Sequence, residues 1–274
     1  MILLSPEPRR AGLPTYARSC AALFARDLFV VRRTFVPFLL RTVMQPLMLM
    51  FVFTYLFPRI GQAVGGAAGA EAFSAMLLSG VVGLAMVMQG IQSVALQLVQ
   101  EIGFTREIDD RAMAPVPLTG VVVARALSGA SQSLIAALVV FPLAYVVPAT
   151  PVHLDVDFAL LVPTLLLGSL LAASLGLAIG TMFDARHVML FFTIIVLPLT
   201  FLGAVFYTWS SLSTVRWVQL LVLLNPLMYL NEGLRASLTD VPHLSPAAVF
   251  PALAAMLVVS LVAGARGFAR HVRS

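Results

Sequence analysis

Ionisable side chains are scarce in this chain, so the places where they gather carry the most information. Twelve acids and seventeen cations occur in 274 residues, and every cation is Arg. One cluster runs Glu101, Arg106, Glu107, Asp109, Asp110 and Arg111, with acids and bases alternating over a short stretch. Such a run either closes i,i+4 ion pairs such as Glu107 to Arg111 in a solvated turn, or presents a charged docking face to another protein. A second cluster is Glu232 with Arg235, one helical turn apart and preceded by the break Asn225-Pro226. That pair is either an ion pair at the lipid headgroup level or a latch. Neither cluster is catalytic in kind, because an enzyme needs a nucleophile with its base, a metal cluster or paired acids facing a cavity. His153, His187, His243 and His271 are scattered without metal-ligand spacing, and Cys20 is the sole cysteine, so no intramolecular disulfide forms. The expectation is no catalytic, cofactor-binding or metal-binding residue. With no Lys there is no phosphate-loop lysine either, so the chain does not bind ATP in that manner.

The elements that position these clusters follow from composition. A chain 60% hydrophobic and 11% charged, with mean hydropathy +0.99, is a polytopic membrane protein. A helix needs about 20 apolar residues to cross a hydrocarbon core of roughly 30 Å. Six stretches meet or approach that length: 35–57, 72–99, 120–147, 158–182, 188–207 and 247–265. The fold class is therefore all-α, with residues 1–34 as a cytoplasmic N-terminal segment and 35–274 as a six-span transmembrane domain. Thirteen arginines fall on one side of these spans, Arg59, Arg216 and Arg235 fall on the other, and Arg41 lies inside the first span. That asymmetry places both termini in the cytoplasm. The net charge of +5 belongs to topology and to contact with anionic membrane lipid, and no aromatic-interleaved basic patch points to nucleic acid.

Outside the spans, residues 15–33 read as an amphipathic helix lying along the cytoplasmic interface, with Asp27 in the middle of its apolar face. The charged run lies in the link 100–117, which Pro115 and Pro117 close before the third span. The stretch from about 209 to 237 is too apolar for an ordinary loop and too interrupted to cross a bilayer. Broken backbone at membrane depth is tolerated only when packed on protein or facing a water-filled opening, so this stretch caps something. Within the spans, Gln89, Gln92, Ser93, Gln97, Thr193 and Thr200 either line a pathway or join helices by hydrogen bonds. Gly80, Gly83, Gly168, Gly176 and Gly180 read as sites of close helix packing. Few intramembrane acids argue against ion-coupled transport.

Three features together, the N-terminal interfacial helix, the Arg106 to Arg111 link ending in Ala114-Pro115-Val116-Pro117, and Asn225-Pro226-Leu227 with Glu232 and Arg235, resemble the membrane subunits of type-2 ABC transporters. These include drug, polyketide and lipo-oligosaccharide exporters, and the resemblance covers nearly the whole chain. It implies that Glu101, Arg106, Glu107, Asp109, Asp110 and Arg111 dock a cytoplasmic ATPase, and that Asn225, Pro226, Glu232 and Arg235 belong to re-entrant external helices that gate the exit. It further implies two ATPase subunits, which hold the ATP and Mg, and a second permease copy or paralogue. Five Tyr and two Trp offer little stacking surface for sugars, which favours a hydrophobic or amphipathic drug, antibiotic or lipid over a polysaccharide or lipo-oligosaccharide. An ATP-independent channel or scaffold is the remaining alternative. The lack of Lys suggests a high-GC bacterial genome, and hence a plasma-membrane location.

Overall fold

A computed structural model of the protein describes residues 35–62, 66–100, 118–148, 154–182 and 188–273, with Ala25, Phe29, Arg33 and Val152 as isolated positions. The expected interfacial helix and its Asp27 thus lie almost wholly outside the described residues. So does the charged link from Glu101 to Pro117. Among the described residues there are helices and no strand.

Helix α1 spans Phe35–Met50 and continues through a π-helical turn, Phe51–Leu56, to a last turn, Phe57–Arg59. Then come α2 (Gly66–Gln100), α3 (Leu118–Val146), α4 (Phe158–Met182) and α5 (Val188–Phe201). A broken region follows, made of a 3-10 turn (Ser210–Thr214), α6 (Arg216–Leu221), a second 3-10 turn (Val222–Leu224) and α7 (Pro226–Leu238). The last helix is α8, Pro246–Arg273.

Five of these helices are long and apolar enough to cross a membrane: Phe35–Arg59, Gly69–Gln100, Gly120–Leu143, Phe158–Met182 and Pro246–Arg270. The expected span 188–207 is not among them. Its described part, Val188–Phe201, is 14 residues, or about 21 Å at 1.5 Å per residue, and residues 183–187 before it lie outside the described residues. The chain turns after Phe201, and within that turn Ala204 takes φ 54°, a left-handed conformation incompatible with a right-handed helix.

The helices differ sharply in how much protein surrounds them. The apolar window of α2 is 83% buried, whereas that of α1 is 17% and that of α8 is 22%. Helix α2 is therefore the central element, flanked by α3 and α4, and α7 is packed among α2, α4 and α8. Small residues make the α2/α4 contact possible. A Cβ on Gly176 would lie 2.7 Å from the Ile91 carbonyl oxygen, and one on Gly90 would lie 2.5 Å from the Ala172 Cβ, so glycine sets the distance between these backbones. Around the contact, Leu77, Leu78, Leu84, Met86, Ile91, Leu171 and Leu230 form a continuous apolar core.

Candidate functional site

Helix α7 begins at Asn225, whose extended backbone and Oδ1 accepting from the Leu227 N–H at 2.9 Å make an N-cap, with Pro226 pre-set at the first helical position. The same Asn225 donates from Nδ2 to the Leu199 carbonyl at 2.9 Å. That carbonyl lies in the last turn of α5, where the helix offers no further N–H. The cap of one helix thus closes the end of another.

The polar face of α7 extends this pattern. Asn231 and Arg235 are four residues apart and Glu232 lies between them, and all three are fully shielded from solvent. Asn231 Nδ2 donates to the Gly203 carbonyl at 2.6 Å, and Arg235 Nη2 donates to the Ala204 carbonyl. Glu232 Oε1 accepts from Arg235 Nη1 at 2.8 Å and from the Trp209 N–H at 3.1 Å. Its Oε2 accepts from the Leu244 N–H at 2.7 Å. Asn231, Glu232 and Arg235 therefore supply hydrogen-bond partners to the backbone of Gly203, Ala204 and Trp209, as Asn225 does for Leu199. Backbone groups buried without such partners would each cost free energy comparable to a lost hydrogen bond. Burial pulls the Arg235 guanidinium below its usual pKa, and the Glu232 carboxylate opposes that pull.

The broken turn also leans on α2. A Cβ on Gly80 would come 2.5 Å from the Val205 carbonyl oxygen, and one on Gly83 would come 2.0 Å from Asn231 Oδ1. At the far end of α7, the Ser237 and Leu238 carbonyls accept from the Asp157 N–H at 2.9 Å and the Asp155 N–H at 3.2 Å. Both ends of α7 and most of its polar face find partners inside the protein, while Asn231 Oδ1 and Arg235 Nε are buried without one. The headgroup-level ion pair allowed by the sequence is therefore not what forms. Glu232 and Arg235 are an interior hub that stitches residues 199–209 and Leu244 to α7.

A groove opens beside this hub. It encloses about 690 Å³ and is walled by Gln45, Leu49 and Phe53 of α1 and its π turn, by Phe73 of α2, and by Val196, Thr200 and Phe201 of α5 with Phe206 beyond it. The Phe53 ring stands 5.5 Å from Phe206, 6.4 Å from Phe73 and 5.3 Å from Phe57, so one end of the groove is an aromatic cluster. Thr200 uses its hydroxyl on the Val196 carbonyl at 2.9 Å, which leaves the lining nearly apolar.

Of the other polar residues expected in the spans, Gln89, Gln97 and Ser93 take structural partners. Gln89 accepts from Thr42 Oγ1 at 3.1 Å, joining α2 to α1, and Gln97 accepts from Arg125 Nη1 at 2.7 Å, joining α2 to α3. Ser93 bonds back to the Gly90 carbonyl at 3.1 Å, while Gln92 is half-buried. The side chain of Thr193 lies outside the described residues. Of the expected lining residues whose side chains are described, Thr200 alone borders the groove. Sequence reading missed Phe53, Phe73 and Phe206, which lie on three separate segments and meet only in the folded chain. It also missed Asn231 as a partner of the hub, although its i,i+4 spacing to Arg235 was a usable signal.

The profile of the ABC-2 type transporter family matches residues 18–239, which include α1 to α7 and all of the hub except Leu244. The chain belongs to this family. It is a multi-pass membrane permease, the transport component of an ABC system. A search of curated proteins returns no match to the permease. The match begins at residue 18 and so takes in the charged link, which lies outside the described residues, and most of the expected N-terminal helix, of which only Ala25, Phe29 and Arg33 are described.

Proposed function

We propose that the chain is the permease subunit of an ATP-driven exporter that moves a hydrophobic or amphipathic molecule, a drug, antibiotic or lipid, outward across a bacterial plasma membrane. The observation that carries the substrate class is the groove, whose aromatic cluster and scarcity of polar groups suit an apolar ligand and offer a sugar chain few hydrogen-bond partners. In this reading two ATPase subunits hold ATP and Mg and dock at Glu101, Arg106, Glu107, Asp109, Asp110 and Arg111. A second permease copy or paralogue completes the pathway, and both termini are cytoplasmic. Helix α5 with the turn after it serves as the sixth crossing, and α6 with α7 forms the re-entrant external pair.

The chemistry of gating then follows from the hub. Asn225, Pro226, Glu232 and Arg235 hold the end of α5 and residues 202–209 as one rigid external cap, with Phe201 and Phe206 as its inner wall. ATP-driven tilting of the cytoplasmic ends would move this cap as a unit. The test is ATP-dependent uptake of a hydrophobic dye into inside-out vesicles carrying the permease and its ATPase. Phe53→Ala should raise the dye concentration needed for half-maximal uptake several-fold at unchanged protein level. Unchanged uptake kinetics in Phe53→Ala and Phe206→Ala would refute the groove as the substrate site.

A further inference from the structure

One side chain on the wall of the groove is chemically unlike the rest. Gln45 and Thr200 are its polar lining residues, and Thr200 has already given its hydroxyl hydrogen to the Val196 carbonyl at 2.9 Å. That leaves the Gln45 amide as the lining side chain with donors unused. Gln45 is exposed and has no hydrogen-bond partner among the described residues. Its neighbour Thr42, one turn earlier on α1, is buried and bonded to Gln89 at 3.1 Å, so the packed side of the same helix is satisfied within the protein. Gln45 sits near the middle of the 25-residue apolar helix Phe35–Arg59, a depth at which lipid offers an amide no partner. An amide left unpaired there costs free energy, and whatever fills the groove removes that cost if it carries a matching polar group.

We propose that Gln45 selects the head group of the substrate, and that the groove takes an uncharged amphipath whose hydroxyl, ketone or amide bonds to the Gln45 amide while its apolar end lies against the aromatic cluster. The proposal rests on the groove being the substrate site and names what that site accepts. Three observations set the chemistry. An amide donates two hydrogens and accepts at its carbonyl, so it pairs with a neutral polar group of either kind. The stretch from Gln45 to Phe53 rises about 12 Å along α1, which puts the head group about that far from the Phe53, Phe73 and Phe206 rings. Finally, no lining side chain ionises, and the charge closest along α1 is Arg41, one turn before Gln45 on the same face and outside the lining. A cationic head would therefore meet no carboxylate in the groove and an arginine beside it. Charge at this depth is costly without a partner, so cationic drugs and charged lipid headgroups are poor substrates.

The test uses four matched probes, a pyrene on a six-carbon chain that ends in a hydroxyl, a methyl, an ammonium or a carboxylate. Binding to the full-length permease in phosphatidylcholine nanodiscs is read as saturable energy transfer from Trp209 to pyrene in a Trp217→Phe background, Trp209 being close in sequence to Phe206. The alcohol should bind about fivefold more tightly than the methyl probe, the order of one hydrogen bond formed away from water, and the ammonium probe should bind most weakly. Gln45→Leu should erase the advantage of the alcohol, and because Gln45 is exposed the variant should stay as monodisperse as the parent. An advantage that survives Gln45→Leu, or an ammonium probe that binds as tightly as the alcohol, would overturn the proposal. So would a carboxylate probe that outranks the alcohol, since Arg41 would then hold the head group. Efficient disulfide crosslinking between copies of Gln45→Cys in a Cys20→Ser background would overturn it too, by making a second copy the partner of this position. Saturable binding that is lost in Phe206→Ala yet indifferent to the head group would sink the selectivity and leave the groove as the substrate site. No saturable binding of any probe would sink both.

Discussion

Replacing Glu232 by Ala should show whether the α7 hub is structural glue or a surface decoration. The carboxylate accepts three hydrogen bonds, from Arg235, from the Trp209 N–H and from the Leu244 N–H, and both members of the ion pair are fully buried. Removing one partner of a buried pair leaves an uncompensated charge and costs about 3–5 kcal/mol. A solvated surface pair contributes only about 0–1 kcal/mol. For a chain of this size each 1 kcal/mol moves the melting temperature by about 2–4 °C, so the buried geometry predicts a loss on the order of 10 °C. The assay is the apparent Tm of detergent-solubilised protein, read as the monodisperse fraction surviving a heat step. Arg235→Met should cost a similar amount. The double variant should fall short of the sum of the two by at least about 1 kcal/mol, because it removes the orphaned charge. It should not return to wild type, since Ala204, Trp209 and Leu244 still lack partners for their buried backbone groups. A Glu232→Ala variant that melts within measurement error of the wild type would refute the hub. Strict additivity of the two single changes would refute the coupling.

Two further predictions concern the backbone that the hub holds. Gly83→Ala places a Cβ 2.0 Å from Asn231 Oδ1, and overpacking of this kind should cost about 1–3 kcal/mol. Its effect should be less than additive with Asn231→Ala in the same melting assay. Ala204→Gly relieves a φ of 54° and should raise Tm by a few degrees, given about 1–2 kcal/mol for a left-handed non-glycine residue. A drop in Tm there would mean that the alanine methyl packs better than the strain costs.

Much of the fold was legible because membrane spans are written in long apolar runs. The boundaries 158–182 for α4 coincide with its observed ends, Phe158–Met182. The run 188–207 reads equally apolar, yet its described helix ends at Phe201, and hydropathy does not register the turn that follows, with its left-handed residue at Ala204. Asn225-Pro226 was legible as a break for the opposite reason, since capping and proline chemistry are local. The Glu232 and Arg235 pairing was legible from spacing, but its burial was not, as that depends on α2, α4 and α8 surrounding α7. Residue type was equally insufficient for the two tryptophans, of which Trp209 is clamped to Gln219 and Trp217 is 70% exposed. The groove was illegible because its aromatic walls come from positions as distant as Phe53 and Phe206.

Purification of the permease from its native membrane tests the ATP-driven reading most directly. The account predicts that an ABC ATPase co-purifies with the wild-type chain at one ATPase per permease, and that Glu107→Ala, Asp109→Ala and Asp110→Ala together abolish the association without lowering the permease Tm. A wild-type permease that carries no ATPase through purification, or a triple variant that retains it in full, would contradict the account.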